Sequence, residues 1–129
     1  MGLLDALLGG PKVLPVHVDD GNFDDEVLRS DLPVMLDVWG PDCAPCRQME
    51  PVVMRIAGRY QGRVKVAELN AAAAPRTVRR LGVRGTPTLV FYRNRAEIGR
   101  VVGYRGEGFL DELFRAELLG DDAGRTARG

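Results

Sequence analysis

The sequence predicts an α/β fold in which helices cover both faces of a central mixed β-sheet. Segments with strand alternation are interleaved with segments of helical periodicity along the whole chain. Residues 34–39 and 89–92 are near-continuous apolar runs, which are typical of strands buried on both faces. The predicted order is strand, helix, strand, helix, strand, helix, strand, strand and helix, so the last two strands form an antiparallel hairpin.

Composition bounds the possible functions. The 129 residues suffice for one domain with a real core, and 45% of them are hydrophobic. Basic and acidic residues both number 18, which gives no support for a nucleic-acid or membrane-surface partner. No stretch approaches the roughly 18 apolar residues that a membrane span needs. Two cysteines and the single His17 do not complete a four-ligand zinc site, so we expect no metal; a site shared by two Cys pairs in a dimer stays open.

The two ends of the chain are predicted to lie outside the domain. Residues 1–12 form an N-terminal extension with a short amphipathic helix, residues 13–119 form the domain, and residues 120–129 form a disordered tail. We expect the extension helix to pack on the domain surface, with docking to a partner or a membrane as the alternative. The N-terminus carries Asp5 and lacks a basic region, so it is a poor signal peptide and we expect a cytoplasmic protein.

The first half of the domain contains two predicted strands and one helix. Residues 16–18 alternate as a short strand, on which we expect His17 to be a surface residue rather than a catalytic base. Asp19 or Asp20 is the expected cap of a helix over residues 23–29. Pro33 then precedes the buried strand 34–39.

The second half alternates in the same way. A helix follows Cys43 to about Tyr60, with Pro51 inside it, and residues 64–69 alternate as a strand. The remaining predicted elements are a helix within 71–81 ended by Gly82, the strands 89–92 and 97–102, and an amphipathic helix over 107–119. Four arginines around the middle helix form a basic patch, read as a solvated face or, alternatively, as a docking surface for acidic partners: Arg76, Arg79, Arg80 and Arg84.

The two cysteines lie where a buried strand gives way to a helix. Cys43 and Cys46 follow a Gly-Pro turn and precede the residues predicted as helix. The unpaired N–H groups and positive dipole at a helix start favour a thiolate over a thiol. Thiol–disulfide exchange needs a thiolate and a second thiol within reach. We therefore expect Cys43 to be the exposed attacking thiol and Cys46 the resolving one.

Asp37 is the anomaly of the buried strand. A carboxylate is expensive to bury unless it is paired, hydrated or protonated. One interpretation is a strand-end residue that turns to solvent. The favoured interpretation is a carboxyl group beneath Cys46, with a raised pKa, that takes and returns the proton of the resolving thiol.

From about residue 16 to 119 the chain resembles a thioredoxin. The resemblance rests on Asp-x-Trp-x-x-x-Cys-x-x-Cys, on Pro51 five residues later, on Gly-Thr-Pro-Thr at residues 85–88, and on Gly103. It implies the thioredoxin fold and a protein-disulfide reductase without a cofactor of its own. It also implies recycling by an NADPH-dependent thioredoxin reductase, and we expect a monomer.

The resemblance also implies roles for individual residues. Asp37 corresponds to the buried acid, and Trp39 would pack behind the active site. Pro87 corresponds to the cis-proline of the family, and Thr86 before it would pair by its backbone with a substrate strand. Gly103 would keep the approach open.

Three departures from the family lie around this site. Asp42 stands before the attacking cysteine, where thioredoxins usually carry Trp, and its charge opposes a thiolate. Ala44 and Pro45 replace Gly-Pro between the cysteines, so a modest change in redox poise is expected. Glu68 stands where the family often has lysine; if it points inward, two carboxylates share a site and one pKa rises. If it points outward, nothing follows.

Two other functions compete with a disulfide reductase. One is an oxidant or isomerase of the same fold, which would need an oxidising compartment. The other is an interaction protein with residual redox activity, suggested by Asp42, Glu68, the leucine-rich N-terminus and the arginine patch.

Overall fold

A computed structural model describes residues 12–120, which form a five-stranded mixed sheet. The strands are β1 (Val16–Val18), β2 (Val34–Trp39), β3 (Lys65–Asn70), β4 (Thr88–Arg93) and β5 (Ala96–Val102). Their order in the sheet is β1-β3-β2-β4-β5, with β1 and β2 parallel to β3, and β4 antiparallel to both β2 and β5. The predicted α/β class, mixed sheet and terminal hairpin are confirmed.

Five helical segments complete the fold. They are the π-helical α1 (Asp24–Leu28), then α2 (Ala44–Arg59), α3 (Pro75–Leu81), α4 (Glu107–Leu113) and the π-helical α5 (Phe114–Leu118). No helix within residues 12–120 is long and apolar enough to cross a membrane. The predicted helix of the N-terminal extension, and the tail beyond Gly120, lie outside the described residues, so the predicted domain boundaries stay a prediction.

The sheet separates two apolar cores because side chains alternate along its strands. Met35 of β2 packs with the buried faces of α2, α4 and α5, whereas Leu36 packs with α1 and the start of α3. By the same alternation Asp37 projects from the same face of the sheet as Met35, which is the face that α2 covers. Cys46 lies in the first turn of α2. Four residues at helical spacing along α2 and at its C-terminal cap are fully or nearly fully buried: Met49, Val53, Ile56 and Tyr60.

The hairpin between β4 and β5 forms because its two turn residues accept left-handed backbone. Asn94 and Arg95 have φ values of 55° and 67°. A two-residue turn with positive φ at both positions matches the right-handed twist of the flanking strands. The hairpin then brings Gly103, just beyond β5, back beside the start of β4, where its N–H donates to the Pro87 carbonyl over 2.8 Å.

The predicted cap of α1 is wrong. Asp19 accepts N–H groups within the turn that precedes α1, at 2.8 Å from Gly21 N, and the residue at the α1 cap, Phe23, makes no side-chain cap. Asp20 instead accepts from the Thr77 N–H over 2.7 Å, so it satisfies a free donor at the start of α3. The partner of Asp20 is distant in sequence, which is why local pattern misplaces it.

The predicted C-terminal helix is divided, and the arginine patch is partly paired. The predicted amphipathic helix over 107–119 is replaced by α4 followed directly by the π-helical α5, and Phe109 of α4 is 45% exposed. In the patch, Arg76 lies 3.7 Å from Asp20 and Arg80 lies 2.8 Å from Asp24. These exposed ion pairs favour the interpretation of a solvated face over a docking surface.

Candidate active site

The two cysteines form a disulfide at the first turn of α2. Cys43 caps the helix with extended backbone, and the two Cα atoms are 5.3 Å apart. The Cys46 N–H points at Cys43 Sγ over 3.3 Å. Cys43 is half-buried, whereas Cys46 is only 7% exposed. A free N–H aimed at Cys43 Sγ is the environment that stabilises a thiolate there after reduction.

The turn before Cys43 depends on a close approach and a left-handed residue. A Cβ added to Gly40 would lie 3.3 Å from Thr86 Oγ1, so glycine lets the two loops touch. Asp42 is exposed and has a φ of 58°, a conformation that Asp tolerates better than most residues. Ala44 and Pro45 are also exposed, so the residues between and before the cysteines face outward.

A second loop meets the disulfide from the start of β4. The Thr86–Pro87 peptide bond is cis, and the Thr86 carbonyl oxygen lies 3.6 Å from Cys43 Sγ. Gly103, with a φ of 94°, holds the other side of this loop through its hydrogen bond to Pro87. Cys43, Thr86, Pro87 and Gly103 are therefore brought together from three separate parts of the chain.

Asp37 lies beneath this surface on β2. Its side chain is nearly buried, and within residues 12–120 its Oδ1 atom has no hydrogen-bond partner. Burial, and after it the charges of Glu68 and Glu50, raise the pKa of Asp37 to about 7. Asp37 and Cys46 line the same cleft, so the buried carboxyl group and the inner sulfur of the disulfide face the same space.

Glu68 adopts the inward alternative. It stands opposite Asp37 in the parallel β2–β3 register. Its Oε1 accepts the Trp39 indole N–H over 2.6 Å, and its Oε2 lies 2.7 Å from His17 Nδ1. The hydrogen bond to Glu68, followed by the Glu68 charge, raises the pKa of His17. Trp39 and Glu68 are thus held against each other on the same side as Asp37.

His17 is the residue at this site that sequence reasoning missed. It is exposed, as expected for a surface strand residue, but the β1–β3 register pairs it with Glu68. The alternation of residues 16–18 predicts the face of the strand on which His17 lies, but it does not predict which residue of the next strand lies beside it. Pairing the first and third strands in the sequence would have placed the imidazole beside the carboxylate.

These features define a class of protein. A disulfide three residues apart at a helix N-terminus, with a buried acid on the adjacent strand and a cis peptide bond beside the outer sulfur, serves dithiol–disulfide exchange. In the part of the chain described, no group of three or more His, Cys, Asp or Glu residues could hold a metal ion.

The comparisons with known proteins agree with this class. The family model described as Thioredoxin matches residues 14–115. The thioredoxin of Thiocapsa roseopersicina is 53% identical over 78 residues, covering 60% of this chain and 86% of that protein. Thioredoxin 1 of Nostoc sp. is 42% identical over 102 residues, covering 79% of this chain and 95% of that protein. A thioredoxin of Synechocystis sp. is 43% identical over 87 residues, covering 67% of this chain and 81% of that protein.

The chain belongs to the thioredoxin family. It is a thiol–disulfide oxidoreductase that acts on protein disulfides, and its redox pair is Cys43 and Cys46. The predicted fold and activity are confirmed, and the alternative of an interaction protein or isomerase is not favoured.

Proposed function

We propose that this thioredoxin works as a reductant, with Cys43 as the nucleophile, Cys46 as the resolving thiol and Asp37 as the proton acceptor. The observation that carries these roles is the asymmetry of the pair. Cys43 Sγ is the more accessible sulfur and receives the Cys46 N–H, whereas Cys46 is buried and lines the same cleft as Asp37. A solvent-accessible thiolate attacks, and a buried thiol needs a base before it can do so.

The exchange proceeds in two displacements. The Cys43 thiolate attacks one sulfur of a substrate disulfide, a Cys43–substrate disulfide forms, and the other substrate sulfur leaves as a thiolate. Cys46 then gives its proton to the Asp37 carboxylate and attacks Cys43 Sγ. The second substrate thiolate leaves and takes the Cys46 proton back from Asp37, while the first takes from solvent the proton that Cys43 released on ionising. The substrate thus gains two electrons and two protons, and the Cys43–Cys46 disulfide forms.

The substrate is proposed to dock beside the cis peptide bond. The Thr86 carbonyl lies beside Cys43 Sγ. Pro87 is buried, but Gly85 is exposed and both Thr86 and Cys43 are half-buried, so an extended chain can reach the sulfur and pair with the loop backbone. Trp39, Asp42, Ala44, Pro45, Pro87 and Gly103 would complete this surface. Recognition through backbone would tolerate many substrate sequences, with Asp42 disfavouring acidic neighbours of the target disulfide.

The remaining parts of the proposal are a reductase, a compartment and an oligomeric state. The disulfide formed in each turnover must be reduced again, and we propose that an NADPH-dependent thioredoxin reductase does this. We propose a cytoplasmic monomer with no resident cofactor. A reduction potential near the roughly −270 mV of thioredoxin would support the reducing direction, whereas a potential above about −200 mV would contradict it.

Matched cysteine variants test the assigned roles. With a dithiol as the regenerating reductant, Cys43→Ser is expected to reduce a protein disulfide no faster than the dithiol alone. Cys46→Ser is expected to attack normally and to accumulate a mixed disulfide at Cys43, visible by intact mass. Wild-type turnover by Cys43→Ser, or a mixed disulfide formed on Cys46 in Cys43→Ser, would contradict the assignment.

A further inference from the structure

A cleft of about 510 Å³ opens beside the disulfide, between the strands β1, β2 and β3 on one side and α2 on the other. Much of its wall is apolar and includes Leu14, Pro15, Val53 and Met54. Four carboxylic acids line it as well: Asp37, Asp42, Glu50 and Glu68. Apolar walls with a few convergent polar groups are typical of ligand sites of this volume.

The charges of the cleft are unbalanced. Among the described residues that line it, His17 and Arg47 are the basic ones, against the four acids. Within residues 12–120, neither Asp42 nor Glu50 forms an ion pair, and His17 is held by Glu68 and Asp19. The field inside the cleft is therefore negative, which excludes an anionic occupant and favours a cation.

The buried acid lacks a donor. Asp37 is 7% exposed, and its Oδ1 atom accepts no hydrogen bond within the described part of the chain. A buried carboxyl oxygen without a partner is costly, and nearly all such atoms in folded proteins are satisfied. Because Asp37 lines the cleft and its Oδ2 atom is not enclosed as Oδ1 is, a donor can reach the carboxyl group from the open side through Oδ2.

We propose that this cleft binds an organic cation, an ammonium or guanidinium group on an apolar stem, with its head at Asp37 and Glu68. The stem would lie along Leu14, Pro15 and Met54. Glu68 already accepts from Trp39 and His17, yet each carboxylate oxygen has two lone pairs and can accept again. A neutral apolar guest would leave the Asp37 carboxyl group without a donor, and the described residues offer no metal-binding cluster.

The same head-group chemistry has two possible sources. One is a free alkylamine or alkylguanidine, and the other is a lysine or arginine side chain of a protein that docks next to the disulfide. The apolar stem and charged head of these side chains match the two parts of the cleft. Occupancy would place a cation beside Asp37 and so couple this cleft to the proton that Cys46 exchanges.

The binding should depend on pH. Asp37 is faced by Glu68 from β3, by Glu50 and Arg47 from α2, and, through Glu68, by His17 from β1; Asp42 lies on the adjoining turn. Loss of the Asp37 proton creates a charge for the ligand, and loss of the His17 proton removes a competing cation from Glu68. Both changes strengthen binding, so the affinity should rise between pH 6 and pH 8.

The test uses the full-length oxidised protein and n-pentylammonium as the probe. Titration is followed by the NMR signal of the Trp39 indole N–H, with n-pentanol as a neutral control of matched shape. We expect a saturable shift with the ammonium and at least about tenfold weaker binding of the alcohol, because a charge-assisted hydrogen bond is lost. Glu68→Gln should weaken the binding of n-pentylammonium by a similar factor. Glu97→Gln is the matched control, because Glu97 lies on β5 outside the cleft, and it should leave the binding unchanged.

The comparison of ammonium with alcohol needs no variant, so it decides the proposal even if Glu68→Gln folds poorly. Equal binding of the two probes, or no saturable shift with either, would overturn the proposal. An affinity that does not rise from pH 6 to pH 8 would overturn it too. A capped Gly-Lys-Gly peptide separates the sources: binding at least as tight as that of n-pentylammonium supports a protein side chain, and binding of the free amine alone supports a small molecule.

Discussion

The molecule holds two clusters of carboxylates in opposite environments. Glu107 and Asp111 on α4 face Arg55 and Arg59 on α2, with the Glu107–Arg55 contact at 2.7 Å. Hydrogen bonds from Arg55 and from Tyr60, respectively, are the main causes that lower the pKa of Glu107 and Asp111. Both acids are thus charged, paired and partly exposed, and they fasten α4 to α2.

The second cluster, Asp37 and Glu68, lies at the other end of α2 and lacks arginine partners within the described residues. Burial and the neighbouring acids raise the pKa of Asp37 to about 7. The pKa of a carboxyl group is therefore lowered where guanidinium and hydroxyl groups bind it, and raised where it is buried beside another acid. The difference between the clusters lies in their partners rather than in the amino acids.

Removing the charge of Asp37 should have the largest effect on stability. A rise in pKa from 3.8 to about 7 corresponds to ~4 kcal/mol, because one pKa unit is 1.36 kcal/mol. The folded state holds this proton more tightly, so the penalty is absent at low pH and grows as pH rises toward 7. We expect Asp37→Asn to raise the free energy of unfolding of the oxidised protein by ~3 kcal/mol at pH 8 and hardly at all at pH 4. Urea unfolding at both pH values measures this, and an equal effect at both would contradict the raised pKa.

Removing a charge from the paired cluster should have a smaller effect of opposite sign. Glu107→Gln weakens the contacts with Arg55 and Arg59, and we expect a loss of about 1–2 kcal/mol at pH 7. The pKa of Glu107 is lower in the folded state than in the unfolded chain. Its contribution to stability is therefore present at pH values above its ordinary pKa, and it is lost as the pH falls through the folded-state pKa. Urea unfolding at pH 7 and pH 3 measures this loss of stability. The rate of disulfide reduction should not change in Glu107→Gln, and a slower rate would contradict a purely structural role for this cluster.

Removing the neighbouring charge should produce the smallest change. Glu68→Gln keeps an oxygen that can accept the Trp39 indole N–H but removes one source of the raised Asp37 pKa. We expect the Asp37 pKa to fall by roughly half a unit to one unit, measured by ¹³C NMR of the carboxyl carbon. The control is Glu50→Gln, which should shift the pKa less because the Glu50 charge is the smaller cause. The reverse order of the two shifts would contradict the described geometry.

The fold and the cysteine site follow from local pattern. The apolar run of β2, the Gly-Pro turn and the start of α2 place Cys43 and Cys46 without any tertiary information. The resemblance to thioredoxins additionally predicts the cis bond between Thr86 and Pro87, which the structure contains. Each of these features is encoded within a few consecutive residues, so the sequence alone expresses it.

What the sequence could not predict depends on pairs that are distant along the chain. Asp20 caps α3 rather than α1, because the β1–β3 pairing brings the turn after β1 to the start of α3. The sequence does not distinguish an inward from an outward Glu68, because its direction depends on Trp39 and His17 as partners. Alternation along a strand determines on which face of the sheet a side chain lies. Only the register between strands determines which side chains lie next to one another.

The most direct test of the central claim is the rate at which Cys46 releases a mixed disulfide from Cys43, measured against pH. The claim is that the Asp37 carboxylate accepts the Cys46 proton. For the wild type, with a small thiol preloaded on Cys43, the release rate should rise through about pH 7 and level off above it. For Asp37→Asn the rate at pH 7.5 should be about 10²-fold lower and should rise only with the ionisation of the thiol itself. Coincident pH profiles for the two proteins would contradict the role of Asp37.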